Sequence, residues 1–174
     1  MAIPSIQNPS VVGCIEALER TQTIVEAISD ELFCYKSTGH ETIGSHLRHA
    51  VEHVQCLLAG IQKGQIDYDQ RNRSVRLEKE RSYLLDIVRE LIGDLSSIKL
   101  PDGKVPIMLR ELPSLNAEPI SMETTIEREF VFTSSHIIHH LAVVYFICKL
   151  NDIELSNDLI LAFSTSAHRR AIAG

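Results

Sequence analysis

Three histidines lie within nine residues in the stretch SHLRHAVEH, positions 45–53. Each residue of an α-helix turns the chain by about 100°, so His46, His49 and His53 would share an arc of about 60° on one helix face. A face of imidazoles suits a solvated stripe, a set of buried hydrogen-bonding groups or half of a metal site. These nine residues alone leave the three interpretations open.

A second stretch, SSHIIHH at positions 134–140, favours the metal site. His136 and His140 are four residues apart, the spacing at which two imidazoles on one helix can reach the same ion. His139 follows three residues after His136, and the three together span about 100° of the helix surface. Six of the chain's eight histidines therefore fall in two clusters among apolar residues.

One histidine of the first cluster, together with His136 and His140, would form a three-histidine site with a coordination position left open for water or substrate. Neutral imidazoles suit zinc, nickel, copper, cobalt or iron(II), whereas magnesium and calcium prefer oxygen ligands. The spacing leaves open which histidine of the first cluster coordinates. The unused ones, and His139, would then be neighbours of the ligands, alternative ligands or packing groups.

Side chains close in sequence are candidates to accept a hydrogen bond from the second ring nitrogen of a ligand and so to fix its tautomer. These candidates are Ser45, Glu52, Glu129 and Ser135. His40 and His168 lie outside both clusters, and we expect them to be ordinary packing or surface groups. A proton-sensing imidazole cluster without metal is an alternative to the metal site.

Other known kinds of metal or nucleophilic site do not fit the spacing. A ferritin-like di-iron bundle needs Glu-x-x-His twice, and no histidine here has a glutamate three residues before it. Neither cluster contains the His-Glu-x-x-His of zincins or the bridging carboxylates of an oxygen-carrying bundle. Cys56 lies three residues after His53, but this pair has no third group to orient it.

Apolar periodicity predicts four long helices, and turn residues mark several of their ends. The helices are expected at residues 10–36, 42–63, 77–98 and 125–150. Between the last two lies a proline-containing segment that we expect to be a long loop or a small hairpin, 105–109 against 119–122. Residues 151–174 would form a C-terminal tail in which DLILAF docks and HRRAIAG is loose.

The expected fold is therefore all-α, an antiparallel four-helix bundle in one domain spanning residues 1–174. The 44% hydrophobic and 23% charged fractions are those of a soluble protein. The net charge of −6 and the lack of a basic block argue against nucleic acid as a partner. The N-terminus shows no signal peptide, and no uninterrupted apolar run is long enough for a membrane helix, so a cytoplasmic protein with free cysteines is expected.

The stretches TIGSHLRHAVEH and REFVFTSSHIIHHLAVV resemble the second and last helices of the DinB-like proteins, a family that includes relatives of the YfiT type. The similarity lies in one histidine on the second helix and His-x-x-x-His on the last. It implies a bundle of up-down-down-up topology that holds one divalent metal, most often nickel or zinc, and that pairs as a homodimer. The metal ligands implied are His49, which matches the family's HL-x-H pattern, with His136 and His140.

The resemblance also leaves His46 and His53 as alternative ligands and His139 as a neighbour of the site. It implies a metal-dependent enzyme acting on a small molecule, either a transferase that joins a low-molecular-weight thiol to an electrophile or a hydrolase. The alternative is a non-enzymatic bundle that binds metal or a protein partner.

Overall fold

The computed structural model of the protein describes residues 7–36, 41–101 and 104–173, so His40 lies outside the described residues. Most of the described chain is helical. The four long helices are α1 (Pro9–Ala27), α3 (Ile43–Lys63), α5 (Arg81–Ser97) and α6 (Ile126–Leu150). The shorter helices are α2 (Asp30–Cys34), α4 (Val75–Lys79) and α7 (Phe163–Ala173), with a 3-10 turn at Asn157–Ile160. The strands are β1 (Gln65–Asp67), β2 (Pro106–Glu111) and β3 (Ile120–Thr125).

Two predicted helices, the ones that carry the histidine clusters, are confirmed almost to the residue as α3 and α6. Thr42 caps α3 by accepting a hydrogen bond from the Ser45 backbone N–H at 2.9 Å. Gly64 ends the same helix with φ 77°, a conformation that glycine adopts without strain. Thr125 caps α6 in the same way as Thr42 caps α3. These caps fix where each helix begins and hence which face its histidines occupy.

The other two predicted helices are each broken once. The first stops at Ala27, because Ile28 is extended and buried, and Ser29 then caps α2 by accepting from the Leu32 backbone N–H. The third breaks at Glu80, whose φ of −110° and ψ of 95° separate α4 from α5. Apolar spacing continues across both breaks, and for this reason periodicity alone did not show them.

The expectation of an all-α fold is wrong in one respect, because the described residues include a small three-stranded sheet of order β1-β2-β3. The predicted hairpin is present as antiparallel β2 and β3, with Ile107 opposite Thr124. The parallel partner β1 was not predicted, since it is only three residues long. β1 approaches α3 closely at Gly60, where an added Cβ would lie 2.6 Å from Cγ1 of Ile66.

The long helices pack around one hydrophobic core. α6 contacts both α1 and α3, and α5 contacts α1 and α3. The rings of His46 and His140 are neighbours, as are those of His53 and His136, so α3 and α6 run antiparallel. Arg89 of α5 pairs with Glu26 at the end of α1, whereas Leu95 lies near the start of α1, so these two helices are also antiparallel. The largest fully buried side chains include Leu18, Ile24, Leu47, Leu57, Leu84, Leu95, Phe130, Ile137 and Leu141.

Within the described ranges, α6 is the one helix long and apolar enough to cross a membrane by length and composition. It packs against α1 and α3 and carries a fully buried glutamate, Glu129, on the face that meets the rest of the protein. Both features are typical of a helix in the core of a folded domain.

DLILAF contacts α1 in the way expected of a docked segment, whereas residues 168–172 of HRRAIAG are exposed and helical. Arg20 of α1 donates a hydrogen bond to the Leu161 carbonyl at 2.7 Å, and its guanidinium lies 4.8 Å from the centre of the Phe163 ring. Residues 163–173 continue as helix α7. All four cysteines are free, with Cys14 and Cys148 buried and Cys34 exposed.

Candidate metal site

The facing histidines of α3 and α6 meet in one cluster. Nitrogen atoms of His49, His136 and His140 all lie within 4.8 Å of one another. Nitrogen ligands sit about 2.0–2.1 Å from a bound zinc ion, so the ligand atoms around one ion lie about 3–4 Å apart. All three side chains are half-buried. The cluster could therefore close on a single ion that still reaches solvent on one side.

The surroundings of His136 indicate that the cluster fits a metal ion. Its Nε2 atom is buried and has no hydrogen-bond partner among the described residues. A buried polar atom without a partner costs folding free energy, on the order of 1–3 kcal/mol. A metal ion held jointly with His49 and His140 would give this nitrogen a partner. The donor set of three imidazoles suits zinc, nickel, copper, cobalt or iron(II).

His46 contacts one of these three histidines. The Nδ1 atoms of His46 and His140 are 3.3 Å apart, so one of them donates a proton to the other. With His140 as the donor, its Nε2 carries the lone pair that can bind a metal, because a neutral imidazole has one donor and one acceptor nitrogen. Ligating histidines commonly have their second nitrogen held in this way. His46 is thus placed to orient His140.

The other two histidines near the cluster have different surroundings. His53 is 4% exposed and donates from Nδ1 to the His49 carbonyl at 2.8 Å. Its ring centre lies 4.1 Å from that of His136. His139 is exposed, with its ring 5.3 Å from that of His140. The structure therefore brings the middle histidine of the first cluster, His49, together with the pair on α6.

Burial and mutual repulsion keep these imidazoles neutral. Burial lowers the pKa of His49 to about 3, with further lowering by its neighbour His53. Burial likewise lowers the pKa of His136 to about 4 and that of His140 to about 3. A neutral imidazole has a free lone pair, so all three can bind a metal near neutral pH without first losing a proton.

Two of the four side chains expected to orient the ligands, Glu52 and Glu129, have other partners. Among the described residues, none of Ser45, Glu52, Glu129 and Ser135 hydrogen-bonds to a histidine of the cluster. Glu52 accepts instead from the Ser74 backbone N–H at 2.7 Å. The hydrogen-bond partners of these side chains therefore depend on tertiary contacts and not on closeness in the sequence.

Glu129 anchors a polar network behind the cluster. Its carboxylate is fully buried and accepts from the Tyr68 hydroxyl at 3.0 Å, from Thr124 at 2.8 Å and from Arg128 at 3.0 Å. The Tyr68 ring stacks on His53 with centres 5.2 Å apart. Sequence reasoning missed Tyr68, which follows the short strand β1. Recognition of β1 in the sequence would have indicated that the residue after it lies close to α3 and α6.

Residues 49–53 also spell His-x-x-Glu-His, the spacing of the inverzincin metalloproteases. In that motif both histidines bind the metal and the glutamate acts beside it. Here Glu52 accepts from the Ser74 backbone N–H, and His53 is not among the three histidines whose nitrogens all lie within 4.8 Å of one another. The two histidines that converge with His49 come from α6 instead, so the motif does not describe this site.

Replacement of His46 tests its orienting role. We expect His46→Ala to weaken metal binding about tenfold, because loss of a partner to a ligand typically costs 10–100-fold in metal affinity. His46→Gln keeps an acceptor at this position and should recover part of the loss. Competition with a chromogenic chelator measures both. The matched control is His139→Ala, exposed and adjacent to His140, which should change the affinity less than twofold. An affinity in His46→Ala equal to that of the wild type would contradict the orienting role.

Stability of the metal-free protein should depend on pH through the same histidines. Their pKa values are lower in the folded protein than the ordinary 6.5, so protons favour the unfolded chain and stability falls as the pH drops below about 6.5. We expect Tm in the presence of a chelator to fall by about 5 °C between pH 7 and pH 5. Thermal unfolding followed by circular dichroism measures this, and His136→Ala should show a smaller fall. A constant Tm over this interval would contradict the buried, neutral state of the cluster.

Comparisons with protein-family models, with curated proteins and with solved structures find no match to this chain. The case for function therefore rests on the site itself.

Proposed function

We propose that this protein is a metal-dependent enzyme of the DinB-like kind, which holds one divalent ion through His49, His136 and His140 and acts on a small thiol. The observation that carries the proposal is the convergence of these three nitrogens within 4.8 Å from two separate helices. Nickel and zinc are the ions we favour, since both suit imidazole. A cytoplasmic location and a homodimer belong to the same proposal.

The directions of the helices support the resemblance. In an up-down-down-up bundle the first long helix is antiparallel to the third, and the second is antiparallel to the fourth. The pairs α1 with α5 and α3 with α6 have this relation. Simple up-down-up-down order would make both pairs parallel. We therefore propose the up-down-down-up arrangement, with the small sheet as an addition to it.

The chain supplies three neutral ligands and leaves the remaining side of the site accessible. A bound divalent ion would supply Lewis acidity that favours the thiolate form of a thiol, which is the attacking form. Neutral imidazoles carry no charge, so three of them would not cancel the positive charge of a bound ion. His46 holds His140 in one orientation, and the Tyr68 ring stacks on His53, which borders His49 and His136.

Two other functions are compatible with a three-histidine site. Hydrolysis would use a water molecule at the open position in place of the thiol. A non-enzymatic bundle would use the metal for stability or for metal handling. The partial exposure of His49, His136 and His140 favours an enzyme, because structural metal sites are usually closed by four protein ligands.

A reaction screen tests the proposal. The protein, loaded with nickel or zinc, is mixed with a panel of small thiols and the electrophile 1-chloro-2,4-dinitrobenzene, and thioether formation is followed by absorbance. We expect a rate above that of the metal and thiol alone, lost in His140→Ala and kept in His168→Ala, whose histidine is exposed on α7. A metal-loaded protein that accelerates neither thioether formation nor ester hydrolysis would favour the non-enzymatic alternative.

A further inference from the structure

The loop after β1 places an arginine beside the histidine cluster. Arg71 is half-buried and donates a hydrogen bond to the backbone carbonyl of Tyr68. The Tyr68 ring stacks on His53, whose ring centre lies 4.5 Å from that of His49 and 4.1 Å from that of His136. One end of the guanidinium is thus held by the residue whose ring stacks on the histidine cluster.

The charge of Arg71 has no carboxylate partner within the described ranges. The acidic side chains nearest in sequence are engaged elsewhere. Asp67 pairs with Arg110 at 2.8 Å, and Asp69 accepts from the Leu112 backbone N–H at 2.8 Å. A half-buried guanidinium without a counter-ion is unusual, since buried charges are normally paired.

The positive charge of Arg71 affects the ionisation of the nearby histidines. The Arg71 guanidinium contributes to the lowered pKa of His49, of His53 and of His136, behind the larger effect of burial. A divalent ion on the three neutral imidazoles would add a second positive charge nearby. A neutral ligand would leave both charges uncompensated, whereas a ligand with two anionic groups would meet each of them.

We propose that Arg71 binds the carboxylate of an anionic thiol substrate whose sulfur occupies the open side of the three-histidine site. Guanidinium groups bind carboxylates through two parallel N–H donors, which gives geometric selectivity as well as attraction. This inference rests on the proposed function and adds a substrate class to it: small thiols that carry an acid group.

A matched pair of thiols tests the assignment. The probes are 3-mercaptopropionate and its neutral analogue 3-mercapto-1-propanol, titrated into the cobalt(II)-loaded protein while the sulfur-to-cobalt charge-transfer absorption is recorded. We expect the acid to bind at least tenfold more tightly than the alcohol in the wild type. In Arg71→Ala the acid should lose about tenfold in affinity, with the alcohol and the cobalt content unchanged.

The control is Arg73→Asn in the same loop, which removes an exposed positive charge at a residue with φ 49°, a conformation that asparagine tolerates. It should keep the preference for the acid. Two results would overturn the role of Arg71 and leave the proposed function standing. One is equal affinity of the wild type for the acid and the alcohol. The other is a preference for the acid that persists in Arg71→Ala because the carboxylate chelates the metal. Loss of cobalt from Arg71→Ala would overturn the binding role of Arg71 in favour of a structural role. Absence of the absorption with both thiols would contradict the proposed function and this inference together.

Discussion

His136→Ala should reduce metal affinity by at least about 100-fold, because loss of a residue that only hydrogen-bonds to a metal ligand already costs 10–100-fold. The variant removes one of the three proposed ligands and, with it, the buried Nε2 that has no hydrogen-bond partner in the described protein. For that reason its metal-free form should be about as stable as the metal-free wild type, although a small cavity remains. The large effect is thus expected on binding and not on folding.

The separation of these two effects is measurable. Thermal unfolding with and without excess zinc reports the stabilisation by bound metal, which reaches about 4 kcal/mol at a thousandfold excess over Kd. The wild type and His139→Ala should show a clear rise in Tm with zinc, and His136→Ala should show almost none. An equal rise in His136→Ala would exclude this residue as a ligand. A metal-free variant that does not fold would instead show that His136 is needed for packing.

Gly44→Ala should destabilise the fold by about 2 kcal/mol or more, because it forces two backbones apart. Gly44 is buried in the first turn of α3, and an added Cβ would lie 2.0 Å from the Glu78 carbonyl oxygen and 2.8 Å from Cε1 of Phe33. The carbonyl belongs to the backbone of α4 and cannot rotate away as a flexible side chain would. The loss should exceed the gain of up to about 1 kcal/mol that alanine brings to a helix.

Gly93→Ala is the matched control, since Gly93 is an exposed position of α5 where an added Cβ meets nothing within 4 Å. There the same substitution should stabilise the protein by up to about 1 kcal/mol. Urea unfolding of the two variants therefore should give changes of opposite sign. Because α4 packs on the turn that leads to His46 and His49, Gly44→Ala should also weaken metal binding, whereas Gly93→Ala should not. Stabilisation in both variants would show that α4 does not press on α3.

The parts of the fold that were predicted from sequence are those with strong local signals. The helices with the histidines have periodic apolar faces, and their ends at Thr42 and Gly64 carry the side-chain and backbone properties that begin and end helices. The break after Ala27 and the strand β1 had weak local signals. Ile28 continues the apolar spacing of α1, and a three-residue strand is visible only through its partner β2.

The candidate site was predicted in part for a similar reason. Spacing placed His136 and His140 on one face, but the choice of His49 from its cluster depended on the resemblance. The structure brings nitrogens of these three histidines together. Arg71 lies in a polar loop with no pattern of its own. Its position depends on the turn after β1 and on the Tyr68 carbonyl, and neither can be read from neighbouring residues.

X-ray absorption of the zinc-loaded protein tests the central claim most directly, because it reports the atoms bound to the metal. The three-histidine site predicts one zinc per chain with three imidazole nitrogens at about 2.0–2.1 Å and one or more water oxygens as the other ligands. Sulfur ligands at about 2.3 Å, or a purified protein that retains no metal after loading and dialysis, would contradict it.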